Sequence, residues 1–119
     1  MAFKSAVLKD LAIFGRSCND EGLVADIVTI FLDQSAIQVS NFCAAASIHD
    51  LEKQVYEIHR LKSNASVVGA IELRHLCEEI ETMLFRFHSI ASRYVDSLRS
   101  EVNLECKRLK IELEEHEKR

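Results

Sequence analysis

Residues 51–70 read L-E-K-Q-V-Y-E-I-H-R-L-K-S-N-A-S-V-V-G-A. Leu51, Val55, Ile58, Leu61 and Ala65 recur at spacings of 4, 3, 3 and 4, the repeat that lines one side of a 3.6-residue helix. The spacing predicts a helix from Leu51 to about Val67, with Gly69 marking the turn that ends it. Just upstream, Ser47-Ile48-His49-Asp50 interrupts the apolar pattern. Ser47 and Asp50 are both able to cap the helix that Leu51 begins.

The same periodicity extends outward on both sides. Toward the N-terminus, Phe3, Val7, Leu8, Leu11 and Phe14 predict a short helix over 3–14. The string G-R-S-C-N-D (15–20) interrupts it, and Asn19 or Asp20 is a candidate N-cap for a second helix over about 21–46. That helix would turn Val24, Ile27, Phe31, Phe42 and Ala45 inward. Toward the C-terminus, Leu73, Leu76, Cys77, Ile80 and Leu84 mark a helix over about 70–87, and His88-Ser89 forms a junction. Val95, Leu98, Val102, Cys106, Leu109 and Leu113, spaced 3, 4, 4, 3 and 4, mark the last helix, about 90–117. Short joints between long helices imply antiparallel neighbours. The expected fold is all-α: an antiparallel four-helix bundle with a short additional N-terminal helix, in one domain over 1–119.

Composition agrees. The chain has 119 residues, no Pro and three Gly, too few turn formers for an all-β fold. Apolar residues make up 48%, enough for one core. With 15 basic and 19 acidic residues, the net charge of -4 disfavours nucleic acid, whose binding needs surplus Lys and Arg. No apolar run approaches the roughly 20 residues of a membrane span, so no membrane contact is expected. Lys4, Lys9 and Asp10 break up the N-terminal apolar residues, unlike a signal peptide. Cys18, Cys43, Cys77 and Cys106 lie far apart and read as reduced thiols that fill space.

One residue carries chemistry. At about 100° per residue, His59 falls at the edge of the apolar arc centred on Ile58. Lys62, Ser63 and Ser66 follow it at i+3, i+4 and i+7, the positions that share its helix surface. Imidazole ordinarily titrates near 6.5, so it is substantially neutral at pH 7. Neutral imidazole is a nucleophile, and a neighbouring ammonium would stabilise an anion attached to it. From spacing alone, an ordinary surface histidine is the competing reading.

The wider string H-R-L-K-S-N-A-S-V-V-G-A, continuing I-E-L-R-H-L-C-E-E-I-E, resembles the signature of histidine-containing phosphotransfer domains. That signature is H-x-L-K-G-S-(S/A)-x-x-x-G-A followed by L-x-x-x-C-x-x-(L/I/F)-E. His59, Leu61, Lys62, Ala65, Gly69, Ala70, Leu73, Cys77, Ile80 and Glu81 match it. Upstream, T-I-F-L-D-Q-S (29–35) is similar to the family's second-helix segment. The resemblance covers about 20–119, and the long charged last helix is most similar to stand-alone plant-type members. Two positions depart from the pattern: Ser63 stands where the family has Gly, and Asn64 where it usually has Ser.

The resemblance implies a four-helix bundle that relays a phosphoryl group. His59, attacking through Nε2, would accept it from the phospho-aspartate of one receiver domain and pass it to another. Lys62 would lessen charge repulsion, and Ser63 and Ser66 would line the site. The partners implied are receiver domains of sensor kinases and response regulators. Mg²⁺ would sit on the receiver and no cofactor on this chain, which also shows no nucleotide-binding loop. Ile30, Ile37 and Leu32 are candidate partner-binding residues, with packing under the first helix as the alternative for Ile30 and Ile37. A monomer in the cytoplasm is expected, also nuclear if the source is eukaryotic.

Ser63 and Asn64 motivate a second reading: a receiver-binding scaffold or competitor with weak transfer. The 3–4 spacing over 90–113 motivates a third, a coiled-coil module, although it spans fewer than four heptads. His75 and Cys77 with Glu78 and Glu79 resemble a metal set only superficially, since residues two apart on a helix point in different directions. His49 reads as a local cap or a solvent residue. His88 and His116 have no supporting partners in the sequence, and residues 105–119 read as a solvated face with intrahelical ion pairs.

Overall fold

A computed structural model describes residues 6–117. The described residues form five helices and no strand: α1 (Ala6–Ser17), α2 (Leu23–Ser47), α3 (Leu51–Val67), α4 (Ile71–Phe87) and α5 (Ser92–Glu117). Helices α2, α3, α4 and α5 pack in a ring, each on the next and α5 back on α2, and α1 lies on α2. This is the expected bundle with its short N-terminal helix. Phe3 and the rest of the expected first helix before Ala6 lie outside the described residues.

The joints follow from local chemistry. Asp50 caps α3, its carboxylate accepting from Lys53 N–H at 3.2 Å. Ser47 does not cap α3; its hydroxyl donates back to Ala44 O within α2. Gly69 ends α3 with φ 71, a left-handed conformation that glycine adopts without a Cβ clash. His88 and His49 take φ 56 at the junctions after α4 and α2.

The first joint differs from expectation. Gly15 does not break α1; it lies buried inside it. A Cβ there would stand 2.5 Å from Asp20 O and 3.2 Å from Leu23 Cβ, so its lack of a side chain lets the following turn fold back onto the helix. Asn19 takes φ 58 in that turn, and Asp20 N–H donates to Gly15 O at 2.6 Å. Neither Asn19 nor Asp20 caps α2, whose N-cap is Gly22.

The core joins Leu8 of α1 to Phe31 and Phe42 of α2, Ile58 and Leu61 of α3, Leu73 and Ile80 of α4, and Leu98 and Leu109 of α5. The apolar stripe read along α5 points inward throughout, with Val95, Cys106 and Leu113 half-buried. Three residues expected inward do not follow: Val7 and Phe14 of α1 and Val55 of α3 are 37%, 60% and 43% exposed. On α3 the buried side is rotated, so that Gln54 and Glu57 go inside in place of Val55. Gln54 is accommodated because its amide donates to Asp50 O at 3.1 Å; a satisfied polar group can be buried at little cost.

Helix α2 also corrects the reading of apolar runs. By length and composition it is long and apolar enough to cross a membrane. In the structure its inward side carries Ser35 and Gln38 beside the aromatics and packs on α1, α3 and α5.

Candidate functional site

Ile58 and Leu61, 0% and 1% exposed, fix α3 to the core. The helical repeat then sets His59 on the outer surface, where its side chain is 64% exposed. Lys62, one turn on, lies beside α4 rather than projecting freely into solvent. Its Nζ is 2.7 Å from Glu81 Oε1 of α4. The other oxygen of the same carboxylate, Oε2, is 3.5 Å from His59 Nδ1. One acidic side chain on α4 therefore meets both functional groups of α3. Glu81 was visible in the sequence only as a matching position. The signal for its role is its register: it stands one turn beyond Cys77, which is fully buried, and so falls at the margin of the inward face of α4.

The electrostatics follow from this triangle. Pairing with Glu81 raises the Lys62 pKa above its usual 10.5, against a smaller opposing effect of burial, so the ammonium is firmly charged at neutral pH. Nδ1 is the ring nitrogen that the Glu81 carboxylate approaches. A carboxylate at Nδ1 favours the tautomer that carries its proton there and leaves the Nε2 lone pair free. Cys77, close under Glu81 and Lys62, is pushed up to about 12, chiefly by burial. That makes it an inert packing thiol.

The hydroxyls expected to line the site are turned down onto the helix. Ser63 Oγ donates to His59 O at 3.2 Å, and Ser66 Oγ donates to Lys62 O at 3.1 Å. Asn64 does not face the imidazole. Its amide reaches across to α2 and donates to Gln38 Oε1 at 3.2 Å and Gln34 Oε1 at 3.4 Å. Of the two departures from the signature, only Ser63 lies on the His59 side of α3, one turn on.

The apolar candidates on α2 separate. Ile30 and Ile37 are 52% and 60% exposed, so they do not pack under α1. Leu32 is half-buried against the core, less open than either isoleucine. Tyr56 and Val67 of α3 are exposed as well. Both stand within one helical quadrant of His59 on the side toward Asn64 and α2. Among the described residues no group of three or more metal-ligating side chains converges. His75 is exposed while Cys77 is buried, and Glu78 pairs with Arg74.

A family model described as Hpt domain matches residues 26–117, a span that contains the whole of α3, α4 and α5 and most of α2. Comparison with curated proteins and with solved structures gives no match.

Proposed function

Because the chain belongs to the Hpt domain family, whose members act in phosphorelay phosphotransfer, we propose that His59 is its phosphoryl acceptor and donor. The observation that carries this is the triangle of His59, Lys62 and Glu81: an exposed imidazole with a carboxylate at Nδ1 and an ammonium alongside. The Nε2 lone pair attacks phosphorus of a receiver phospho-aspartate and forms the N–P bond. The electron pair of the breaking P–O bond returns to the receiver carboxylate. Attack leaves both ring nitrogens substituted, so the ring becomes cationic, and Glu81 beside Nδ1–H stabilises that charge as it develops. Lys62 faces the incoming anion. The reverse sequence delivers the group to a second receiver. The catalytic divalent cation is expected on the receiver, as phosphoryl transfer depends mainly on positioning and charge.

Receivers would dock over α2 and α3, where Ile30, Ile37, Tyr56 and Val67 leave apolar side chains exposed. The long charged α5 supports likeness to plant-type members, and a monomeric, cytoplasmic carrier fits this reading. Ser63 at the family's Gly position favours a second reading, a receiver-binding competitor that transfers slowly.

The test is incubation with a phosphorylated receiver and Mg²⁺, following acid-labile, base-stable label. Label on the wild type and none on His59→Gln supports the carrier. Receivers that bind both proteins yet label neither would leave the competitor.

A further inference from the structure

The site has a second apolar margin, on the side away from α2. Val55, His59 and Lys62 occupy positions i, i+4 and i+7 of α3 and so form one ridge. Glu78, Glu81, Thr82 and Phe85 form the facing ridge of α4 by the same rule. Glu81 sets the register between them, because it meets both His59 and Lys62. One turn further along these antiparallel helices, Phe85 comes opposite Val55. Both line a single open groove with Lys62 and Glu81. Phe85 is 83% exposed, the largest exposure of any large apolar side chain among the described residues. The groove thus runs directly into the triangle, with an aromatic at its rim.

We propose that Phe85 and Val55 form the second half of the receiver-docking surface, so that a receiver straddles α3 and contacts Ile37 on one side and Phe85 on the other. This rests on the reading of His59 as phosphoryl acceptor. Interface size supports it. A stable contact covers about 800 Å² of each partner, a disc of roughly 16 Å radius by that figure, while neighbouring helix axes lie roughly 8–10 Å apart. A footprint centred on His59 therefore reaches α4 as well as α2. Continuity selects the occupant: whatever reaches His59 to exchange phosphate must lie against the mouth of this groove. An apolar rim on both sides of the ring also excludes water from the labile phosphoryl group during transfer. A large exposed aromatic such as Phe85 also supplies the apolar contact area on which interfaces rely.

The experiment measures dissociation constants for a panel of receiver domains, together with transfer to His59. It compares wild type, Phe85→Ala, Val55→Ser and Ile37→Ala, with Phe87→Ala as control. Phe87 is 70% exposed but is not part of the groove. Thermal melts confirm that each variant folds. Binding is expected to weaken about tenfold in Phe85→Ala and several-fold in Val55→Ser, with Phe87→Ala unchanged. Wild-type binding and transfer by Phe85→Ala and Val55→Ser would overturn the groove and leave His59 standing. Receivers that bind, lose affinity with Phe85→Ala, yet never label His59 would support the surface and end the acceptor reading. No receiver binding at all would overturn both. A concentration-dependent mass that Phe85→Ala abolishes would assign the groove to a second copy of this chain, and overturn the proposal.

Discussion

Glu81 of α4 holds Lys62 of α3 by an ion pair of 2.7 Å, and the same carboxylate reaches His59 Nδ1 at 3.5 Å. His59 therefore meets a charged group of the neighbouring helix as well as those of its own. Glu81→Gln keeps the shape of the side chain and removes its charge. Transfer to His59 is expected to slow by about tenfold, equivalent to about 1.4 kcal/mol of transition-state stabilisation, with little change in melting temperature. Rapid-quench transfer assays beside thermal melts check it; an unchanged rate would reduce Glu81 to an anchor for Lys62.

Lys62→Ala should slow transfer without unfolding the domain, since the lysine sits at the margin of the core. Its pH behaviour has a definite sign. The folded-state pKa is raised by Glu81 above 10.5, so its contribution to stability is complete below 10.5 and is lost as pH rises through the raised value. Alkaline unfolding of wild type and Lys62→Ala should therefore converge above that range and stay parallel below it. A difference that instead grew with pH would contradict the pairing.

Ser63→Gly restores the family residue one turn on from His59. It is expected to speed transfer, because the hydroxyl and Cβ that border His59 are removed. It should also cost about 0.5 kcal/mol of stability, the penalty of glycine against serine within a helix, with loss of the bond to His59 O. Stopped transfer and a denaturant melt separate the two effects. An unchanged transfer rate would show that Ser63 does not obstruct.

Gly15→Ala tests the first joint. The added Cβ would meet Asp20 O at 2.5 Å, so helix or turn must move. A loss of about 1–3 kcal/mol is expected, the range for forcing an extra methyl into a packed site, measured by urea unfolding. Transfer should persist, since the joint lies on α1 and α2.

Thiol labelling reports the core. Cys18 is exposed, whereas Cys43 and Cys77 are buried. At pH 8 Cys18 should react first with a disulfide reagent. Cys77, with its pKa pushed up to about 12, should react only on unfolding. Early modification of Cys77 would mean that α4 opens in the native state.

Much of this was legible in the sequence, and residue pairs show where reading stops. The α5 stripe was read correctly because Leu98, Val102 and Leu109 form a narrow seam flanked by charged residues. On helix α3 the repeat places Ile58, Leu61 and Ala65 correctly inside and misplaces only Val55. Periodicity gives the direction of an apolar arc, but a long polar side chain can be buried once its head is bonded, as Gln54 is to Asp50 O. Val55 was then free to lie beside Phe85, a pairing that spans two helices and has no signature along the chain. The position of His59 followed from local repeat alone, whereas the contact with Glu81 depends on the register of α3 against α4. Gly15 looked like a helix breaker because a glycine's close backbone contact is decided by what folds back onto it.

The central claim is that the imidazole of residue 59 carries the phosphoryl group on Nε2. Tandem mass spectrometry of the receiver-phosphorylated chain, with ³¹P NMR to identify the ring nitrogen, tests it most directly. The account predicts a single phosphohistidine at His59, bonded through Nε2 and missing from His59→Gln. Phosphate found on His49, His75, His88 or His116, or retained by His59→Gln, would contradict it.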